Sequence, residues 1–175
     1  MQSFLSLVTR ASGGNYDKTE CVKDSVTGLM WEGKPASGTR GSPALDPNDS
    51  YTNYPVGYVS QVTQRDEDDN LFTPDVVNAR TNAQGYVKAV NEQGLCGYTD
   101  WRLPTRNEML SIVDYGVPSP GPTIDATWFL NTQSGFYWTS SAYLGATDSA
   151  WYIDFSEGSD NGVSWAGYFY VRLVR

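Results

Sequence analysis

The chain has 175 residues, enough for one sizeable hydrophobic core and too few for two comfortable ones. Hydrophobic residues make up 39% and charged residues 18%, with 17 Gly and 9 Pro, the balance of a loop-rich globular domain and not of a disordered chain. A net charge of −8 without a basic cluster argues against nucleic acid and anionic membrane surfaces as partners, and a sequence without histidine lacks the commonest general base and metal ligand.

Residues 1–20 read as a polar lead-in. No apolar run reaches transmembrane length, and Met1 to Arg10 lacks the basic start and long apolar stretch of a signal peptide, so an exported form is expected either to have lost its leader or to be carried by another segment. A turn at Thr27-Gly28 precedes a short strand over Leu29-Met30-Trp31-Glu32. From Gly33 to Tyr58 the chain is rich in Gly, Pro, Ser, Asn and Asp and shows no period, which predicts a long loop. The acidic run Arg65-Asp66-Glu67-Asp68-Asp69-Asn70 reads as a solvated loop. Calcium is the sharper alternative there, although the turn glycine and distal Glu of an EF-hand loop are missing.

Thr73-Pro74-Asp75 predicts a helix start, with a capping hydroxyl, Pro in the first turn and an acid near the positive dipole end. Val76, Ala79, Ala83, Tyr86, Val87 and Val90 then fall on one apolar face, and Gly94 closes the helix. Thr105-Arg106-Asn107-Glu108 is a capping box that opens a second helix, with Met109, Leu110, Ile112 and Val113 apolar. The Pro-rich stretch Val117 to Pro122 cannot continue it. Beyond Asp125 three strands are expected: 136–141, 150–155 and 168–174, separated by polar, Gly-containing loops. Two helices followed by strands make an α+β fold with a mainly antiparallel sheet and long loops. Cys21 and Cys96 are far apart, and a zinc site would need two carboxylates beside them. Buried free thiols or one disulfide in an exported domain remain as readings, the disulfide being favoured.

Several segments resemble one family. Cys21-Val22-Lys23-Asp24 with Thr27-Gly28-Leu29-Met30-Trp31-Glu32 looks like the opening of the C-terminal domain of the Legionella collagen-like protein (Lcl) family. Further matches are Leu95-Cys96-Gly97-Tyr98-Thr99-Asp100-Trp101-Arg102-Leu103-Pro104-Thr105 with Glu108 and Leu110, then Tyr137-Trp138-Thr139-Ser140-Ser141, Ala150-Trp151 with Asp154-Phe155, and Tyr170-Val171-Arg172-Leu173-Val174-Arg175. The resemblance covers roughly Cys21 to Arg175. It implies a C-type-lectin-like fold in a single domain over 21–175, secretion, and ligand binding at a bacterial or phage surface. It also implies a Cys21–Cys96 disulfide. Variable proteins of diversity-generating retroelements share the fold, and 136–175 looks like their diversified segment. The formylglycine-generating enzymes share it too, but their chemistry uses a close cysteine pair that this chain lacks.

The same motifs have readings of their own. Trp101 and Leu103 are core, Thr105 is a helix cap, and Arg102 is expected to tie segments together through a carboxylate such as Asp100 or Asp24. Arg172 and Arg175 are expected to do likewise. Trp31, Trp138 and Trp151 are read as core. The segment 136–175 holds 11 of the 24 aromatic residues but no Lys and only two Arg. Strand alternation sets Tyr152 and Asp154 opposite Trp151, Ile153 and Phe155. The ligand site is therefore placed on Tyr143, Asp148, Tyr152, Asp154, Ser159, Asp160, Asn161, Ser164, Trp165 and Tyr168, a palette of Tyr, Trp, Ser and Asn suited to recognition.

These readings favour a binding domain of an adhesin, a phage receptor-binding module or a retroelement-diversified protein over an enzyme, with no cofactor unless calcium. The partner is then a surface protein or glycan, without nucleic acid or membrane insertion, and a homo-oligomer fits. The location is extracellular, on a cell surface or phage particle. Two alternatives compete: a glycan hydrolase using carboxylates such as Asp154 and Asp160, and an oligomerisation cap on a stalk or tail fibre.

Overall fold

The polar opening of the chain carries a strand. The computed structural model describes residues 4–36, 49–55 and 82–175, and in it β1 (Leu5–Leu7) pairs antiparallel with β2 (Cys21–Asp24), which pairs antiparallel with β3 (Met30–Glu32). The tight reversal from β2 to β3 follows from local chemistry. The Asp24 carboxylate accepts from the Val26 amide and the Thr27 hydroxyl, and Gly28 takes a φ of 77° that a side chain would resist. The expected start of the first helix at Thr73-Pro74-Asp75 and the acidic run at 65–70, with its calcium reading, lie outside the described residues.

Of the apolar face expected to run from Val76 to Val90, the described helix is α1 (Ala83–Gln93). It starts at Asn82, which is extended (φ −118°, ψ 139°) and whose side chain accepts from the Gln84 amide, so the helix that Gly94 closes does not run on from Thr73 as expected. It ends at Gly94 in the left-handed conformation, as expected from the sequence. The helix α2 (Arg106–Leu110) opens with the complete Thr105–Glu108 capping box. It is shorter than the apolar spacing suggested: Ile112 and Val113 lie beyond it, in a chain that already turns toward the prolines.

A second antiparallel sheet follows, with β4 (Phe136–Ala142), β5 (Ser149–Asp154) and β6 (Ser159–Ser164) in that order. Two expectations change here. Residues 159–164, read as loop, form β6, because the turn after Asp154 returns the chain directly onto β5. Asp154 Oδ1 accepts from the Ser156 amide, the Gly158 amide bonds the Asp154 carbonyl, and Gly158 sits at a φ of 78°. A polar sequence is tolerated because β6 is an edge strand with one side open.

Conversely, 168–174 is not a ladder strand. It pairs in succession with different partners: Phe169 with Tyr51, Tyr170 with Phe136 and Trp138, Leu173 with Glu32, and Val174 with Arg102. Arg175 then exchanges both backbone bonds with Met30. The C-terminal segment thus stitches the two sheets together, which is why residues 171–174 are all buried.

Two buried clusters result. One joins α1, Tyr51, Trp101, Leu103, Trp138, Ala150, Val171 and Leu173; the other joins Trp31, Met109, Ile124, Phe129, Tyr137, Ile153, Phe155 and Val174. The β4–β6 sheet stands between them, with Trp138 on one face and Tyr137 on the other. Cys21 and Cys96 are joined by a disulfide that links β2 to the turn after α1. The fold class is α+β, with two helices and two three-stranded antiparallel sheets among the described residues.

The arginines are structural ties; Arg175 meets Asp100, one of the carboxylates expected, while Arg102 and Arg172 take other partners. Arg102 makes a bidentate pair with Glu108 at 2.8 and 2.7 Å, and Asp100 pairs instead with Arg175 at 2.6 Å. Arg172 is fully buried; it donates to the Glu32 carbonyl and the Thr132 hydroxyl and lies over the Phe129 ring. Glu32 is itself buried and accepts from Lys34 Nζ at 3.1 Å, from the Leu173 amide at 3.0 Å and from the Tyr86 hydroxyl.

A candidate ligand-binding face on the second sheet

Cross-strand partners share a face, so the register decides which side chains meet. Phe136 stands opposite Asp154, Trp138 opposite Tyr152, Tyr152 opposite Asn161, and Asp154 opposite Ser159. One face therefore carries Phe136, Trp138, Tyr152, Asp154, Ser159 and Asn161. Its base, at Trp138 and Ala150, is sealed by the first core cluster. Toward the hairpin end the cover runs out.

There Phe136, Tyr152 and Phe169 form a three-ring cluster, with centroids 4.9, 5.0 and 5.2 Å apart, and Phe169 stacks on Trp138 at 4.6 Å. Phe136 remains 41% exposed, and Ser159 and Asn161 are exposed beside it. Asp154 is only 7% exposed, and the one hydrogen bond of its carboxylate among the described residues is accepted from the Ser156 amide of its own turn. Burial, and then the charges of Asp154, Glu157 and Asp160, raise the Tyr152 phenol above its ordinary pKa. The platform is apolar, bordered by Asp154 and the Glu157 turn, and neutral at the phenol.

Four of the ten residues singled out from the sequence meet on this face: Tyr152, Asp154, Ser159 and Asn161. Three others belong to the opposite face. Asp160 pairs with Ile153 in register and forms an ion pair with Arg106 of α2, and Ser164 stands opposite Ser149. The Tyr143 ring lies across Gly162, where any Cβ would collide with it, and packs edge-on against Trp151 at 4.9 Å. Trp151 is thus half-buried between Tyr143 and the Arg106 guanidinium, 4.5 Å from the ring, and is not the core residue expected.

Asp148 lies in the exposed β4–β5 turn, where its carbonyl accepts from the Trp165 amide. Trp165 is half-buried against the first core cluster. Tyr168 is 55% exposed in the turn beyond β6. Asp154 and Asp160, the pair weighed for hydrolysis, project from opposite faces of the sheet and do not line one cleft.

Sequence reasoning missed Phe136 and Phe169. Both sit in strongly apolar runs that read as core, and only the register shows one of them reaching the open end. Elsewhere, a cavity of about 450 Å³ is lined by Leu5, Ile112 and Phe129 with Asp24, Asp114 and Asp125. All three carboxylates close their own turns, on Val26, Gly116 and Thr127. Among the described residues no group of three or more Cys, Asp or Glu side chains could hold a metal ion, and no helix is long and apolar enough to cross a membrane.

A disulfide-stapled α+β domain, its two antiparallel sheets tied by its own C-terminal segment, is the class of protein these features define. The chain belongs to the Lcl C-terminal domain family, whose model matches residues 20–175. Family and disulfide together point to an extracellular or surface-associated domain. No curated protein matches the chain.

Proposed function

We propose that this chain is a ligand-binding domain, without catalytic activity or cofactor, that engages a surface partner through the open end of the β4–β6 sheet. The observation that carries this reading is the Phe136–Tyr152–Phe169 cluster, whose outermost ring stays 41% exposed beside Ser159 and Asn161. Rigid aromatic area bordered by small polar side chains gives contact at low entropic cost, the economy seen in antibody paratopes. The resemblance to C-type-lectin-like binding proteins supports the same reading, and with it a place on an adhesin, a phage particle or a retroelement-diversified protein.

The test separates binding from folding. Tyr152 and Trp165 pack against the first core, so their removal would cost stability; Phe136 and Asn161 are better targets. A Phe136→Ser, Asn161→Arg double variant is expected to melt within a few degrees of the parent. On an array of surface proteins and glycans it should lose at least about thirtyfold in affinity, the effect of removing an interface hot spot. Undiminished binding by a well-folded double variant would move the site off this face.

A further inference from the structure

The open face is acidic and has no cation of its own among the described residues. Asp154 is buried to all but 7%, and its carboxylate takes one amide bond from its own turn. Glu157 is exposed in the hairpin turn and, among the described residues, accepts only from the Ser159 hydroxyl. Neither carboxylate has an ion-pair partner among the described residues, whereas Asp100, Glu108 and Asp160 each have an arginine.

The two arginines of the C-terminal segment are committed elsewhere, Arg172 in the interior and Arg175 on Asp100. Asp154 stands directly across from Phe136, so the carboxylate and the half-exposed ring belong to one surface. Asp154 as a residue is nine-tenths buried and has no counter-charge among the described residues, so a cation arriving on that face meets an attraction that bulk solvent screens less than at an open surface. The negative faces of the rings favour the same visitor.

We propose that this face takes a basic side chain, an arginine of a protein partner, with its guanidinium plane on Phe136 and Tyr152 and its charge toward Asp154 and Glu157. This rests on the binding-face reading above and names the chemistry of its ligand. The chain's net charge of −8 adds long-range attraction for a basic partner.

The probe is N-acetyl-arginine amide, titrated into the ¹⁵N-labelled chain, with the neutral citrulline analogue as control. Saturable shifts are expected at the amides of Phe136, Tyr152, Asp154, Glu157, Ser159 and Asn161, and none from citrulline. The Asp154→Asn, Glu157→Gln variant should bind the arginine probe about tenfold more weakly, and the parent's affinity should fall steeply as salt is raised. Glu157→Gln alone, at an exposed position, serves if the double variant melts early, and should still weaken binding several-fold.

Equal shifts from citrulline, or none from the arginine probe, would overturn the inference. A natural partner lost by Phe136→Ser, Asn161→Arg but bound normally, and without salt dependence, by Asp154→Asn, Glu157→Gln would also overturn it. That last result would point to a neutral glycan and leave the binding face in place.

Discussion

Glu108 does three jobs with one carboxylate. It closes the capping box of α2 on the Thr105 amide, accepts from the Thr105 hydroxyl, and holds both arms of the Arg102 guanidinium. Arg102 is the main reason its pKa is lowered from 4.5 to about 2, with the Thr105 bonds adding to it against the opposing effect of burial. A carboxyl depressed in the folded state contributes stability that is complete above its unfolded value near 4.5 and is lost as pH falls toward 2.

Glu108→Gln should therefore cost about 1–2 kcal/mol at neutral pH, as loss of a cap and an ion pair. The gap to the parent should close between pH 5 and pH 2, a window set by those two pKa values. Urea midpoints of both proteins at neutral pH and near pH 2 check this; a gap of constant size would contradict it. The box was legible in Thr105-Arg106-Asn107-Glu108 because capping acts over three residues. The Arg102 partner was not, because nothing in the residue order distinguishes Glu108 from Asp100 or Asp24 as its carboxylate.

At the scale of elements, β6 shows how little strand propensity decides at an edge. Ser159-Asp160-Asn161-Gly162-Val163-Ser164 has one β-branched residue, yet pairs with β5 along its whole length. Gly162 has a specific reason to be there: the Tyr143 ring occupies the space a side chain would take. Gly162→Ala must push Tyr143 away and so disturb its edge contact with Trp151.

The expected cost is about 1–3 kcal/mol, as for other insertions into a packed contact, together with an altered tryptophan emission. An unchanged melt and spectrum would mean that the Tyr143 ring is not seated on the strand. The apolar run 168–174 teaches the reverse lesson. Its composition is that of a buried strand, and 171–174 are buried, but its backbone bonds are distributed among Tyr51, the β4 strand, Glu32 and Arg102 instead of one neighbour. Burial was legible; the partners were not.

For the molecule as a whole, the disulfide and the C-terminal segment do related work. Cys21 and Cys96 close a loop with a sequence separation of 75 residues, and both sulfurs sit in the first core cluster. In the chain-entropy model such a closure stabilises by about 4 kcal/mol, by restricting the unfolded chain. Cys21→Ser with Cys96→Ser should lower the melting temperature markedly, and reduction of the parent should bring it to the same place. Thiol titration of the unreduced, denatured parent should find no free thiol; recovery of two would remove the bridge.

The sequence by itself determined the α+β class, the Gly94 stop and the Thr105 cap, the β3, β4 and β5 segments, the buried Trp31, Trp101 and Trp138, and through its motifs the family and the cysteine pair. These depend on neighbours within a few residues or on composition, which a linear reading contains. Only the tertiary structure decided the register that puts Phe136 beside Asp154 and Asp160 behind them, the pairing of Glu32 with Leu173 across 141 positions, and the end of the sheet at which core cover stops. The physical reason is that a one-residue slip in register moves every side chain to the other face. That register is set by packing between segments far apart in the chain, which no local pattern encodes.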